Sequence, residues 1–382
     1  MKQYFQEEHY MLQDMVRDFA AKEVAPIAES LDKEERFPIE LIPKLAELGL
    51  LGIPFPEEHG GAGMDTLAYS LVIEELAKVD SSVAITVAAH ISLGITPIYQ
   101  FGNDAQKAAH LSNLISGKYL ACFGLTEPGA GSDAGGTMTT AVRDGDEWVI
   151  NGSKSFITNA GYSGICNLTA VTDPNADRPA GISVFMVDPK TPGFHIGPPE
   201  KKMGWRGSDT RALTFENMRV PAAALLGKLD VGFSQMMTAL VGGRISVAAL
   251  SLGLAEGALQ AAVKYSNERE AFGKKIHRFQ GVGMQLADMA MEIEAARHLV
   301  YHASYVKDNG GNVVKAAAMA KLKASETAVR ATNMAVQVHG GYGYIKEFQV
   351  ERFFRDAKIL TIGEGTSEVQ KLVILKQLLK GL

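Results

Sequence analysis

The chain has 382 residues, 46% apolar and 21% charged, with a formal net charge of −5. That length suits two or three domains with ample core. The balance excludes a disordered or collagen-like chain and leaves no basic footprint for nucleic acid. Two cysteines, Cys122 and Cys166, without CxxC or Cys/His ligand spacing, suit a reducing compartment and no metal. The polar, acidic start from Met1 to His9 reads as neither a signal nor a transit peptide. No uninterrupted apolar run reaches the ~18 residues of a membrane span, so the expected location is cytoplasmic.

In chain order, Met11, Met15, Val16, Phe19 and Val24 keep helical spacing up to Pro26. The pattern predicts a second helix over 39–48, ended by Gly49. Pro54-Phe55-Pro56 and Gly60-Gly61-Ala62-Gly63 mark an irregular loop. Further helices are predicted over 66–79 and over 84–101, the latter apolar enough to be buried. From about residue 119 short alternating runs replace this pattern: Trp148-Val149-Ile150, Leu168 to Val171, Ile182 to Val187 and Ala212 to Phe215. Strands in series without intervening helices point to an antiparallel sandwich or barrel. After Gly232 the helical period returns over 233–267, 281–309, 312–337 and 366–380, broken at Gly273, Gly310-Gly311 and Gly340-Gly341. The fold class is therefore multi-domain α+β: a helical domain over 1–118, a β-domain over 119–228 and a four-helix bundle over 229–382.

Two loops carry candidate chemistry. In Gly124-Leu125-Thr126-Glu127-Pro128-Gly129-Ala130-Gly131-Ser132-Asp133-Ala134-Gly135-Gly136, glycines bare the backbone so that its N–H groups can approach a ligand, and Thr126 and Ser132 add hydroxyl donors. Composition alone favours an ordinary glycine-rich turn between strands. In Ile362-Gly363-Glu364-Gly365-Thr366-Ser367-Glu368, two glycines flank a carboxylate that a substrate could approach closely. Ser367 and Gln370 have capping-box spacing and predict a helix start there. By residue type alone, a solvated turn glutamate is the preferred reading. Glu294, His298 and His302 share a helix face but lack an HExxH motif, so they read as a packed or solvated face.

The first loop resembles the flavin-binding signature of the acyl-CoA dehydrogenase family. Gln337, Gly340-Gly341, Gly343-Tyr344, Glu347, Arg352 and Asp356 resemble its second signature. Lys154 to Asn159 resembles the strand against the flavin ring, and Glu268 to Gly273 with Gln280 resembles the segment that reaches a neighbouring subunit's FAD. The resemblance implies FAD held by Phe123, Leu125, Thr126, Gly131, Ser132, Phe156, Thr158, Arg269, Phe272, Gln280, Gln337, Gly340, Gly341, Thr366 and Glu368. It implies an acyl-CoA substrate touching Ser132, Arg244 and Gly365, with Glu364 as the catalytic base. His339, inside the second signature, is expected to pack or to lie near the flavin rather than to transfer protons.

The implied reaction is α,β-dehydrogenation of an acyl-CoA to the trans-2-enoyl-CoA, the chemistry of fatty-acid β-oxidation. Glu364 would take the α-proton and the flavin the β-hydride. The Glu364 N–H and a flavin ribityl hydroxyl would hold the thioester oxygen, and burial would raise the Glu364 pKa towards neutrality. Electrons would pass to an electron-transfer flavoprotein, and the assembly would be a homotetramer. An oxygen-using flavoenzyme, a carrier-protein thioester dehydrogenase and a silent scaffold are the alternatives.

Three positions depart from many relatives. Gly363 stands where they carry tyrosine, and Val241 where they often carry aspartate. Gly243, just before Arg244, stands where some relatives place their catalytic glutamate. With Ile91 and Ile95 flooring the acyl pocket and Gly363 vacating space beside the base, the expected substrates are short or methyl-branched chains of about C4 to C6.

Overall fold

Helices α1 (Glu7–Phe19), α2 (Ala28–Glu34), α3 (Leu41–Glu47), α4 (Thr66–Ala77), α5 (Ser81–Ala89), α6 (Thr96–Phe101) and α7 (Asp104–Ile115) build the first third of the computed structural model. The structure describes residues 4–380; Met1, Lys2 and Gln3, part of the polar start, lie outside the described residues. Asp65 caps α4 by accepting from the Ala68 N–H at 2.7 Å. Gly49 takes φ +71° just beyond α3, as expected.

The helix expected over 84–101 begins at Ser81 and is interrupted by a π-helical turn, His90–Ile95. Proline supplies no N–H, so Pro97 cannot donate to the carbonyl one turn back. Asn167 Nδ2 from the sheet takes the carbonyls of Leu93 and Gly94 instead, at 3.0 and 2.8 Å. This helix is thereby tied to the β-domain. Helix α7 went unpredicted, although Asn103 and Gln106 form a complete capping box at its start.

Strands β1 (Leu120–Gly124), β2 (Thr140–Asp144), β3 (Glu147–Thr158), β4 (Ser163–Val171), β5 (Ile182–Val187), β6 (Phe194–Pro199), β7 (Thr210–Pro221) and β8 (Leu225–Leu226) form one sheet in the order β6-β7-β3-β2-β4-β5-β8. Pairing is antiparallel except for β1 and β2 on β4, which are parallel. Parallel partners need a long crossover, and the glycine-rich loop with β2 and β3 supplies it for β1. Two strands separate β3 from β5, yet the Trp148 and Phe185 rings lie 5.4 Å apart. The sheet therefore curls around its own core, to which Ile150, Leu168, Leu213 and Phe215 also belong.

The last third holds α8 (Gly232–Glu268), a hairpin of β9 (Glu270–Ala271) and β10 (Lys274–Lys275), then α9 (Gln280–Asn309), α10 (Val313–His339), α11 (Val350–Ala357) and α12 (Ser367–Leu378). Helices α8, α9 and α10 pack on one another, and α12 lies on α10. Helix α8 also crosses α4 closely: a Cβ at Gly253 would meet the Glu74 carbonyl oxygen at 2.2 Å. Against expectation, Ser81–Phe101 and Gly232–Glu268 have the length and mean hydropathy of membrane spans. Those windows are 89% and 72% buried inside the protein, as core helices are.

Helix α11, also unpredicted, carries two residues of the second signature. Buried Asp356 accepts from Ser81 Oγ and the Trp205 N–H, both at 2.7 Å, while Arg352 donates to the Val79 carbonyl at 3.3 Å. These two side chains join the three regions of the fold.

Candidate functional site

Glu364 lies on the turn between the 3-10 segment Lys358–Thr361 and α12. Its φ is +55° and that of Gly365 is +86°. A left-handed non-glycine residue costs on the order of 1–3 kcal/mol and persists only where surroundings enforce it. Here Gln370 Nε2 reaches back to the carbonyls of Glu364 and Gly365, each at 3.0 Å, and Lys321 Nζ donates to the Gly365 carbonyl at 2.7 Å. The cap of α12 is Thr366, whose hydroxyl accepts from the Val369 N–H at 3.2 Å. That corrects the expected cap at Ser367 by one residue. Gln370 is committed to the turn, and the Ser367 hydroxyl is buried without a partner among the described residues.

The carboxyl of Glu364 points at α8. A Cβ at Gly243 would sit 2.7 Å from its Oε2, so glycine there is what leaves room for the carboxylate. Oε2 is sealed from solvent and has no hydrogen-bond partner among the described residues. Burial raises the Glu364 pKa to about 7 against the opposing charges of Arg244 and Lys321. Arg244 is buried, and its Nε is likewise unpartnered. A carboxyl that titrates near neutrality, with a free oxygen and no competing glutamate at 243, suits proton abstraction. Next to it, Gly363 has only the Ile359 carbonyl oxygen, at 3.6 Å, within reach of a Cβ. That position is open.

The glycine-rich loop is anchored by one buried ion pair. Lys154 Nζ on β3 meets Glu127 Oε1 at 2.7 Å, and Glu127 also accepts from the N–H groups of Met138 and Thr139 at 2.7 and 3.0 Å. Burial lowers the Lys154 ammonium to about 8 despite this partner. The Ser155 N–H donates to the Thr126 carbonyl at 2.8 Å and Lys154 Nζ to the Leu125 carbonyl at 3.3 Å, which ties Leu125 and Thr126 to β3 next to Phe156, while Phe123 lies on β1 and Thr158 ends β3. Where β3 slips register against β7, Phe156 takes φ +60° and stands 67% exposed. A Cβ at Gly129 or Gly131 would have no atom within 4 Å, and Gly131 and Ser132 are both exposed. This loop offers bare backbone to a ligand.

Arg269, Gly340 and Gly341 gather elsewhere, in a pocket of about 470 Å³ also lined by Tyr265, His339 and Tyr342. Phe123, Leu125, Thr126, Phe156 and Thr158 are not among its lining residues. The Arg269 guanidinium lies 5.5 Å from the Tyr342 ring. His339 is stacked on Tyr265 with ring centroids 4.2 Å apart, and its Nδ1 bonds the Ala335 carbonyl at 2.7 Å, so it packs as expected. Gln337 and Gln280 are exposed near the ends of α10 and α9, and Phe272, 96% exposed, tips the β9–β10 hairpin. Glu368 is exposed on the first turn of α12. Glu294 pairs with Arg297 and His298.

Lys321 is the site residue that sequence reading missed. Its signal is a lysine on the α10 face that carries the buried Ala317, Ala320, Ala324 and Ala328.

Comparison with known proteins gives a consistent picture. Models of the acyl-CoA dehydrogenase N-terminal, middle and C-terminal domains match residues 6–118, 122–218 and 230–379. The chain is 53% identical over 373 residues to a probable acyl-CoA dehydrogenase of Bacillus subtilis, covering 98% of each chain. It is 46% identical to the mitochondrial short-chain specific acyl-CoA dehydrogenase of Bos taurus, covering 98% of this chain and 90% of that one. Among solved structures, butyryl-CoA dehydrogenase from Megasphaera elsdenii superposes with a TM-score of 0.95 at 45% identity, covering 98% and 99%. A chain in a structure described as the electron transferring flavoprotein of Acidaminococcus fermentans gives 0.97 at 48% identity, with the same coverage.

Proposed function

Because the chain belongs to the acyl-CoA dehydrogenase family of FAD-dependent oxidoreductases, we propose that it desaturates short and methyl-branched acyl-CoA thioesters with Glu364 as base. The observation that carries this reading is the Glu364 carboxyl, sealed at Oε2, unpartnered and raised to about 7. When bound, FAD supplies the acceptor for the hydride that leaves the substrate β-carbon. Glu364 takes the α-proton, so the two losses leave a trans-2-enoyl-CoA. The Glu364 N–H donates to no acceptor among the described residues and is free for the thioester oxygen, where enolate charge develops. Arg244 and Lys321 add positive charge beside that anion.

The residues present fit FAD. The bare Gly129–Gly131 backbone and outward Phe156 suit one end of an extended cofactor, and the Arg269 pocket with Gly340 and Gly341 suits a phosphate-bearing end. These groups lie apart on one chain, which favours an FAD shared between subunits of a homotetramer. The exposed Phe272 beside Arg269 supports the same arrangement. The likeness to a chain in an electron transferring flavoprotein structure supports such a flavoprotein as the acceptor. Free, buried Cys122 and Cys166 accord with a reducing cytoplasm.

Open space at Gly363 supports tolerance of branched chains, whereas Ile91 and Ile95 are packed into the helical core and line no open cavity among the described residues. The test is kcat/KM across butyryl-, isobutyryl-, isovaleryl-, hexanoyl- and octanoyl-CoA for the wild type and Gly363→Tyr. The expected optimum is short, and the variant selectively loses the branched substrates. An octanoyl optimum overturns the chain-length reading. A Gly363→Tyr variant that keeps branched activity overturns the role of Gly363.

A further inference from the structure

Lys321 is fully buried in the middle of α10, where a charged side chain is costly unless it serves something. Its one hydrogen bond among the described residues runs to the Gly365 carbonyl at 2.7 Å. That carbonyl belongs to the left-handed turn that aims Glu364, and Gln370 is the other side chain holding it. Two hydrogen-bond donors tied to successive carbonyls fix the direction in which the Glu364 side chain leaves the backbone. We propose that Lys321 is a positioning residue for the base, locking the Glu364–Gly365 turn through the Gly365 carbonyl and placing a positive charge behind the carboxylate. The proposal rests on the reading of Glu364 as base.

The charged surroundings sharpen what its removal does. Glu364 faces Arg244 from α8 and Lys321 from α10, and Tyr69 from α4 also lies within its field. Lys321 sees Glu364, Arg244 and, from α12, Glu368. Burial brings the Lys321 ammonium down to about 8, with Glu364 pulling the other way. Losing Lys321 leaves Arg244 as the single cation that Glu364 faces among the described residues, so the base becomes harder to ionise.

The experiment uses the FAD-loaded enzyme with Lys321→Met, which removes donor and charge at similar length, and Lys321→Gln, which keeps a donor without the charge. Lys321→Met is expected to lower kcat about 10- to 100-fold with KM changed less than about threefold. Its rising pH limb should move to higher pH. Lys321→Gln should recover most of kcat near the top of its profile while keeping the displaced limb. A purely structural lysine would lower the melting temperature and leave the pH limb in place, and that result overturns the proposal. So does wild-type kcat in Lys321→Met. If Lys321→Met does not fold, the pH limb of Lys321→Gln decides alone. Glu364→Gln runs alongside: if it stays active the base reading itself fails. An inactive Glu364→Gln beside an unaffected Lys321 pair removes only this proposal.

Discussion

Gly243→Ala separates positioning of the base from stability of the fold. The added Cβ would lie 2.7 Å from Glu364 Oε2 and 3.2 Å from its Cδ, whereas ordinary contact begins at 3.4 Å. The carboxylate must therefore retreat by about 0.7 Å, the difference between those distances. It sits at the end of a flexible side chain, so the retreat costs the fold little. Alanine in a helix interior is meanwhile favoured over glycine by about 0.5–1 kcal/mol. Catalysis is less forgiving: a misplacement of about 1 Å costs on the order of 100-fold. The expected outcome is a kcat about tenfold lower, with the melting temperature unchanged or slightly raised. Steady-state assay beside thermal unfolding checks both halves. A kcat within about twofold of wild type, or a lower melting temperature with kcat per folded site unchanged, would refute the reasoning.

With Glu364 near 7, kcat should rise with pH through about 7 as the carboxyl ionises, and a limb near its unperturbed 4.5 would contradict the account. Because folding raises this pKa, the native state holds the proton more tightly. The group's stabilising contribution is full below about 4.5 and is lost as pH rises to about 7. Unfolding titrations should show that slope flattened in a Glu364→Gln variant. Glu127→Gln leaves Lys154 buried without its charge partner and should cost about 3 kcal/mol in urea unfolding, recovered largely by adding Lys154→Met. A single variant as stable as the wild type would show the pair to be dispensable. Arg269→Ala should lose FAD on gel filtration and weaken assembly while keeping its helical signal, and full retention of both would count against the shared-cofactor reading.

Much of the fold was legible because periodicity reports burial. The long helices of the last third each kept an apolar face, and Gly49 marked its helix end. The π-helical turn was not legible, because the missing Pro97 donor is answered by Asn167, about 70 residues away. Nor were the parallel pairings of β1 and β2, which depend on where the crossover lands. At the site, the resemblance to the acyl-CoA dehydrogenase family singled out Glu364, where residue type alone favoured a solvated turn glutamate. Spacing could not show that Gly243 on another helix makes the room, or that Lys321 and Gln370 hold the turn. Those roles arise only when α8, α10 and α12 converge on one carboxylate. The α12 cap was misread by a single residue because Thr366 and Ser367 are equally competent hydroxyls, and only the turn geometry chooses between them.

The central claim is that Glu364 starts desaturation of a bound acyl-CoA. Its most direct test is anaerobic addition of butyryl-CoA to the purified, FAD-loaded protein, wild type and Glu364→Gln, followed by the visible flavin absorbance. The account predicts that the wild type bleaches, and that the variant binds butyryl-CoA with similar affinity but bleaches at least about 1000-fold more slowly. Equal bleaching by both proteins would contradict it.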